Sequence, residues 1–410
     1  MTRSKGKPFL SLSILVALVV SACAQATPAL TRVRFDKADC IFDISAVTEK
    51  IDCGYLFVSE NRSQPDSPLI QLAVAIVRSP NPHPATDPVV FLMGGPGGYL
   101  LDSTAFITSI FGGVLAKRDL ILFDQRGVGY SQPSLNCPEV EDQLLQDAAQ
   151  NLSREEAQRH SFQAIQACHD RLVQAGITLG AYTSAAIGAD VNDLRAALGV
   201  AKWNLYGVSY GTRLALTVMR DFPKGVRSVT LDSVYPPQVD LYASFASHVE
   251  RALNLLFDGC AADPACNAAY PDIKTIFYDT VAQLDAKPVT LSLIQPVTAK
   301  SYPVVMNGDS LISLTFQLLY YSNVLVIFPK LIYELHAGGG FNSILLPYLP
   351  AWLFANAYSS EGMGLSVQCG EEASFSSPQA VATGDAAVFP RLREAFSEIP
   401  TYSTFATCAA

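Results

Sequence analysis

The sequence contains few charged residues and very few histidines. Charged side chains make up 16% of the 410 residues, and the excess of acidic over basic ones gives a formal net charge of −9. A nucleic-acid-binding protein needs a basic face to contact phosphates, so this composition argues against nucleic acid as a partner. Only five histidines and no CxxC pair are present. The sequence therefore predicts no metal site and no cofactor.

Internal repeats and long uninterrupted hydrophobic runs are also missing. The apolar stretch at 311–328 is broken by Ser313, Gln317, Ser322 and Asn323. We interpret it as part of a buried helical core, because a membrane span needs about 20 consecutive apolar residues. Half of all residues are hydrophobic, so we expect a sizeable core. A length of 410 residues is enough for one large domain with an insertion, or for two domains.

Residues 1–26 are typical of an export signal. Basic residues precede the apolar run FLSLSILVALVV, and small residues suited to cleavage follow in SACAQA. The sequence VSAC resembles a bacterial lipobox, in which Cys23 would be lipidated and become the new N-terminus. Soluble secretion, with cleavage after Ala24 or Ala26, is the alternative. We expect the protein in the cell envelope or outside the cell, attached to the membrane by a lipid anchor if Cys23 is modified.

The nine cysteines fit an oxidising compartment. Without Cys23 an even number remains, which predicts disulfides, with buried free thiols as the alternative. Many connectivities are open to eight cysteines. We predict sequential pairing, namely Cys40 with Cys53, Cys137 with Cys168, Cys260 with Cys266, and Cys369 with Cys408.

Short apolar runs alternate with helical patterns between residues 54 and 235. The runs are rich in β-branched residues and are predicted to be buried strands, at 69–77, 88–94, 119–125, 203–209 and 228–234. Alternating strands and helices predict an α/β fold with a mostly parallel sheet covered by helices on both faces.

The pattern changes after residue 235. Helical patterns dominate the next 130 residues or so, and only LIQPVTAKSYPVV suggests a short hairpin. We therefore predict an α/β core at 27–235 and a helical lid at 236–365. A return segment toward the core follows at 366–410.

Ser209 lies in the sequence GVSYG, between a predicted strand and a predicted helix. G-x-S-x-G in this context is typical of a nucleophile elbow, in which Gly207 and Gly211 allow close packing of the turn. The Tyr210 N–H would then lie at a helix N-terminus and face an oxyanion. A simple turn serine is the alternative.

A glycine-rich turn, MGGPGGY at 93–99, directly follows a predicted strand. Backbone N–H groups of such a turn can stabilise an oxyanion, and Gly95 is our candidate donor. A plain Gly-Pro turn remains the alternative. A phosphate-binding loop is disfavoured because no Gly-Lys-Ser/Thr follows, and the match to a dinucleotide-binding pattern is poor.

The sequence FDQRGVGYSQP at 123–133 places Asp124 and Arg126 after another predicted strand. We expect these two side chains to tie loops together near the site through charge-assisted hydrogen bonds. A solvated turn is the alternative.

GGPGG, DQRGVGYS and GVSYG, in this order and spacing, resemble the proline iminopeptidase and tripeptidyl aminopeptidase group of α/β-hydrolases. The resemblance extends to 53–62, 182–199 and 260–271, the last of which looks like the lid cysteine loop of the secreted bacterial branch. One departure is Met93, where proline iminopeptidases carry histidine. The resemblance implies an α/β-hydrolase fold with a helical lid.

The resemblance also implies hydrolysis of peptides from a free N-terminus through an acyl-enzyme. Ser209 would attack the scissile carbonyl, and the N–H groups of Tyr210 and Gly95 would hold the oxyanion. The lid would admit only short or unfolded chains. Lid carboxylates often bind the substrate α-amine in this family, so Glu371 and Glu372 are the candidate substrate-binding residues. Two exposed glutamates without such a role are the alternative.

The catalytic acid and histidine of an α/β-hydrolase follow the serine in sequence. Only His248 and His336 do so here, and both lie in helical patterns of the lid, where we interpret them as surface or core residues. Family members carry the acid and histidine on strand–helix units after the lid, and we expect this chain to end before both. Asp232, at a position that is usually structural, is the alternative acid.

Two other functions stay open at this point. The protein could be a different α/β-hydrolase, acting on small esters or lactones. It could also be an inactive lipoprotein that keeps the fold as a binding module, because a serine without a base is a poor nucleophile.

Overall fold

The computed structural model describes residues 33–295, 298–339, 348–353, 358–398 and 405–409. The predicted export signal and Cys23 lie outside the described residues, so cleavage and lipidation stay predictions. Within the described part, no helix combines the length and the hydropathy that crossing a bilayer requires.

A seven-stranded sheet forms the centre of the fold, with the order β1-β2-β3-β5-β4-β6-β7. Strands β4 to β7 are parallel to one another, and β1 to β3 add to them in antiparallel register. The predicted strands are confirmed, with ends shifted by up to three residues. The strands are Arg34–Ala38 (β1), Ile51–Ser59 (β2), Leu69–Val77 (β3), Ala85–Leu92 (β4), Arg118–Phe123 (β5), Trp203–Val208 (β6) and Val226–Asp232 (β7).

Helices cover both faces of the sheet, as predicted. On one face, Leu172, Val191 and Leu214 pack against the strands within one apolar cluster. On the other face, Ile107 and Leu115 belong to a second cluster with the opposite side chains of the strands. The core helices are Thr104–Ile110 (α1), Gly112–Leu115 (α2), Pro138–Ala148 (α3), Arg154–Gln174 (α4), Ser184–Ala197 (α5) and Tyr210–Asp221 (α6).

Local sequence explains where these helices begin. Ser153 and Glu156 form a capping box at the start of α4, in which each side chain accepts a hydrogen bond from the other residue's backbone N–H. Thr183 accepts a hydrogen bond from the Ala186 N–H at the start of α5. These caps fix the starts of α4 and α5, and α5 packs against α6, the helix that follows Ser209.

A third apolar cluster lies in the region after β7, and Phe257, Phe277 and Phe328 are fully buried in it. The predicted hairpin is confirmed, since β8 (Val289–Ile294) pairs antiparallel with β9 (Ser301–Met306). The helices of this region are Leu241–Ala262 (α7), Pro264–Ala269 (α8), Ile273–Ala286 (α9), Gly308–Leu318 (α10), Ser322–Leu325 (α11), Phe328–His336 (α12), Leu349–Leu353 (α13), Glu361–Glu371 (α14), Pro378–Gly384 (α15) and Pro390–Arg393 (α16). The apolar stretch 311–328 thus contributes to a packed helical core.

The predicted sequential disulfide pairing is confirmed at all four pairs. The bonds join Cys40 to Cys53, Cys137 to Cys168, Cys260 to Cys266, and Cys369 to Cys408. Their Cα–Cα distances lie between 5.1 and 5.4 Å, within the normal range for disulfides.

Candidate active site

Ser209 forms the turn between β6 and α6. Its backbone has φ 54° and ψ −123°, a conformation that costs a non-glycine residue about 1–3 kcal/mol and persists only where the surroundings impose it. Here backbone atoms pack closely against the glycines on both sides of the serine. A Cβ atom on Gly207 would be 2.3 Å from the Gly211 carbonyl oxygen, and one on Gly211 would be 1.9 Å from that of Leu92. The predicted strand 203–209 therefore ends at Val208, and the serine side chain is exposed.

The glycine-rich turn lies against this serine. A Cβ atom on Gly94 would be 2.9 Å from the Ser209 Cβ and 3.4 Å from its hydroxyl oxygen. Gly95 and Gly97 have φ values of 120° and 97°, which side chains disfavour. The Gly98 N–H donates to the Gly94 carbonyl oxygen at 3.2 Å. The structure thus brings together the two motifs from which the sequence predicted the nucleophile and an oxyanion donor.

Gln125 supports this turn, and the sequence reasoning missed it. Its side-chain amide donates to the Met93 carbonyl oxygen at 2.9 Å, and the side chain is almost fully buried. The sequence signal for Gln125 was its position in the DQRG motif, between Asp124 and Arg126.

Asp124 ties loops together, as predicted. Its carboxylate accepts hydrogen bonds from the N–H groups of Leu100 (2.9 Å), Leu101 (3.1 Å) and Tyr130 (2.9 Å). Burial raises the pKa of Asp124 to about 6, although these three N–H groups oppose the rise. Leu100 and Leu101 directly follow the glycine-rich turn, so Asp124 anchors the C-terminal end of that turn.

Arg126 is fully buried and also ties loops together, as predicted. Its guanidinium contacts both carboxylate oxygens of Asp190, at 2.7 and 2.8 Å. It also donates to the carbonyl oxygens of Glu60 and Ala181. The reading of this motif as a solvated turn is therefore wrong.

Tyr210, the residue after the serine, is buried, and its hydroxyl lies 2.8 Å from that of Ser184. Ser184 donates to the Glu371 carboxylate through both its hydroxyl and its N–H, each at 2.5 Å. Burial strongly raises the pKa of Tyr210. The phenol therefore remains protonated, in a chain of hydrogen bonds that leads away from Ser209.

Glu372 forms an ion pair with Arg213, which lies one turn along α6 from Tyr210. Burial raises the pKa of Glu372, and the nearby Arg213 charge opposes the rise. Glu371 and Glu372 line a cavity of about 420 Å³ together with Arg213 and Ser184. Because Glu372 is buried and Glu371 half-buried, the reading of two exposed glutamates is wrong. Their predicted role as substrate ligands stays a prediction.

The two histidines after Ser209 lie on helices α7 and α12, within the predicted lid. His248 is exposed on α7, and His336 on α12 lies within hydrogen-bond distance of Thr280 (3.3 Å) and Gln283 (3.2 Å). In the described ranges, no histidine is hydrogen-bonded to Ser209. The general base is therefore not among the hydrogen-bonded partners of Ser209 in this part of the chain.

Asp232, the alternative acid, ends β7 and is exposed. Its carboxylate accepts a hydrogen bond from the Tyr206 hydroxyl at 2.6 Å, which raises the pKa of Tyr206 to about 12. Its backbone carbonyl accepts from the Ser209 N–H at 3.0 Å. Asp232 therefore supports the serine turn through its backbone, while its side chain binds a tyrosine.

Residues 87–262 match the family model of the alpha/beta hydrolase fold. The chain is 30% identical over 218 residues to a tripeptidyl aminopeptidase of Streptomyces coelicolor, covering 51% of this chain and 39% of that protein. It is 26% identical over 283 residues to the serine protease Hip1 of Mycobacterium tuberculosis, covering 66% and 53%. It is 27% identical over 155 residues to a proline iminopeptidase of Xylella fastidiosa, covering 38% and 34%. The chain spans between about a third and half of the length of these curated relatives.

Proposed function

We propose, from the match of residues 87–262 to the family model of the alpha/beta hydrolase fold, that the protein is an exported serine hydrolase that cleaves peptides from their free N-terminus. The nucleophile is Ser209, and the reaction passes through an acyl-enzyme. The observation that carries the proposal is the backbone of Ser209, held at φ 54° between two close-packed glycines and beside a glycine-rich turn.

The first half of the reaction forms the acyl-enzyme. The Ser209 hydroxyl oxygen attacks the carbonyl carbon of the scissile peptide bond, and its proton passes to a general base. The carbonyl oxygen becomes an oxyanion, which the N–H groups of Tyr210 and Gly95 stabilise by hydrogen bonds. The intermediate then collapses, the C–N bond breaks, and the leaving amine takes up a proton.

The second half releases the product. Water attacks the ester carbon of the acyl-enzyme, the same two N–H groups hold the second oxyanion, and the Ser209 oxygen leaves and regains a proton. The base that moves these protons is a group not hydrogen-bonded to Ser209 in the described residues. A serine without such a base is a weak nucleophile, so the base decides the rate of both halves.

The choice of peptides as substrates rests on the names of the relatives, which are aminopeptidases, a serine protease and an iminopeptidase. Residues 236–365 form the lid in this proposal and restrict access to short or unfolded chains. The predicted export signal at 1–26 and the four disulfides support a location in the cell envelope or outside the cell. Lipidation at Cys23 would anchor the protein to the membrane.

The proposal is tested with the full chain and two types of reagent. A fluorophosphonate probe reports the reactivity of Ser209, and aminoacyl and tripeptidyl p-nitroanilides report peptidase activity. When the base is in place, we expect labelling of the wild type and release of p-nitroaniline from substrates with a free N-terminus but not from their N-acetylated forms. Ser209→Ala should lower the rate about 10³-fold or more.

The matched control is Ser109→Ala, because Ser109 is exposed on α1 and its hydroxyl bonds only to the Phe106 carbonyl of the same helix. This variant should retain wild-type rates within about twofold. Turnover of short acyl esters much faster than any peptide would replace the peptidase by an esterase or lactonase. A folded protein inert to the probe and to every substrate would overturn the proposal and favour a binding module.

A further inference from the structure

Helix α14 touches the site at both of its ends. At its beginning, the three residues 358–360 pair with the glycine-rich turn. The Tyr99 N–H donates to the Tyr358 carbonyl oxygen at 2.9 Å, and the Ser360 N–H donates to that of Gly97 at 2.8 Å. Ser360 is fully buried, and its hydroxyl donates to the Gly127 carbonyl oxygen at 2.8 Å.

This contact is close. A Cβ atom on Gly97 would be only 2.5 Å from the Ser360 carbonyl oxygen. Ser360 therefore connects the glycine-rich turn to the loop after β5, which also carries Asp124 and Gln125. The turn that contains Gly95 cannot move away from Ser209 without breaking these hydrogen bonds.

At the other end of α14, Glu371 and Glu372 hold the helix that follows the nucleophile. Glu372 pairs with Arg213, and the Arg213 guanidinium also donates to the Glu371 carbonyl oxygen at 3.2 Å. The Glu371 carboxylate reaches Tyr210 through Ser184. The first turn of α6, which begins with the second predicted oxyanion donor, is thus bound to the end of α14.

The middle of α14 is packed too tightly to shift. Met363 and Val367 are fully buried in the cluster under the sheet. Cβ atoms on Gly362 and Gly364 would be 2.5 and 3.1 Å from backbone carbonyl oxygens, of Leu135 and Pro96 respectively. An α-helix of 11 residues is about 16 Å long and stiff. Its two ends therefore keep a fixed separation.

We propose that α14 is a brace that sets the relative position of the two oxyanion donors, the N–H groups of Gly95 and Tyr210. Ser360 and Glu372 are its positioning residues, and for Glu372 this role replaces the predicted one as a substrate ligand. This inference rests on the proposed function of Ser209. Oxyanion stabilisation requires both donors within about 2.7–3.1 Å of one atom, so a displacement of either donor lowers the rate.

Two variants of the full chain test the brace, one at each end: Ser360→Ala and Glu372→Gln. Each has a matched control. Ser366→Ala removes a hydroxyl that bonds only within α14, to the Gly362 carbonyl oxygen. Glu139→Gln weakens a more exposed Glu–Arg pair between α3 and α4, with Arg171 as partner.

The first readout is the second-order rate of fluorophosphonate labelling at Ser209. The probe is small and has no amine, so it reports the nucleophile and the oxyanion donors alone. We expect both brace variants to lower this rate about tenfold or more, and both controls to stay within about twofold. Unchanged labelling in the brace variants would overturn the inference.

The second readout is amide hydrogen exchange of the peptides that contain 94–99 and 209–214. Ser360→Ala should accelerate exchange in the first peptide and Glu372→Gln in the second, while the controls leave both unchanged. This readout needs no catalysis. If the wild type fails to react with the probe, the proposed function is wrong, and unchanged exchange would then reject the brace as well.

A third result separates positioning from substrate binding. If Glu372→Gln raises KM for peptides with a free N-terminus and leaves the labelling rate unchanged, Glu372 binds the substrate amine and the brace is wrong. A fall in kcat and in labelling rate at similar KM supports the brace. Circular dichroism and thermal melting of each variant confirm that the compared proteins are folded.

Discussion

Gly94 lies directly against Ser209: a Cβ atom on Gly94 would be 2.9 Å from the Cβ of the serine and 2.9 Å from the carbonyl oxygen of Val208. The two residues are 115 positions apart in sequence, at the ends of the neighbouring parallel strands β4 and β6. The carboxyl ends of parallel strands meet at one edge of the sheet, which is where α/β proteins place their sites. The absence of a side chain at Gly94 is what lets the turn and the nucleophile lie together.

We predict that Gly94→Ala disables the site. The added methyl group meets the serine Cβ and a backbone oxygen, so the turn must shift and carry Gly95 with it. Fluorophosphonate labelling of Ser209 should fall about tenfold or more. Gly113→Ala is the control, because nothing lies within 4 Å of its Cβ position, and it should label at the wild-type rate. Normal labelling of Gly94→Ala would contradict a tight fit at this point.

The stability of the protein should depend on the protonation of Asp124. Its pKa is raised to about 6 in the folded state from 3.8, so the folded protein holds this proton more tightly than the unfolded chain does. The resulting stabilisation is present below about pH 4 and is lost as the pH rises through about 6. Its upper limit is about 3 kcal/mol.

The measurement is the free energy of unfolding of the wild type and of Asp124→Asn between pH 4 and pH 7. Asparagine does not titrate, so the difference between the two proteins should change across this window. We expect the wild-type advantage to shrink as the pH rises. A difference that is constant with pH would show that folding does not raise the pKa of Asp124 above its unfolded value.

Arg126 should contribute far more to stability than an exposed arginine. Among the described residues, Arg126→Ala leaves the buried Asp190 with only the partly exposed Arg62 as an ion-pair partner, and it removes the donor of two carbonyl oxygens. We expect a loss of about 3 kcal/mol or more in urea unfolding. Arg220→Ala, which removes the exposed pair with Asp221, should cost less than about 1 kcal/mol. Equal losses would contradict the structural role of Arg126.

The disulfides should differ in their effect on stability according to loop length. The Cys137–Cys168 bond spans 31 residues and the Cys260–Cys266 bond spans 6. Chain entropy predicts that removing the longer link costs about 1.5 kcal/mol more than removing the shorter one. Paired alanine variants of each bond, compared by urea unfolding, give the difference. A larger loss for the six-residue loop would show that native-state contacts dominate instead.

Several features of the candidate site could be predicted from sequence because they depend on a few neighbouring residues. The serine turn needs glycine on both sides, and the glycine-rich turn needs positive φ values, so both motifs are visible in the sequence itself. The boundary at Val208 was missed by one residue, since an apolar pattern does not show where the chain leaves strand geometry. Asp124 and Arg126 were recognised by charge, but Asp190 was not identified as a partner.

The sequence alone determined five of the seven strands of the sheet, the serine turn and the short hairpin, because each depends on local periodicity or glycine conformation. The sequential disulfide pairing was one of many connectivities open to the sequence, and the tertiary structure confirmed it. Only the tertiary structure decided that Gln125 holds Met93, that Ser360 holds the glycine-rich turn and that Glu372 pairs with Arg213. The Ser360–Gly97 and Glu372–Arg213 contacts join residues 263 and 159 positions apart. Contacts of that kind depend on how the layers of the fold pack, and no local pattern encodes this.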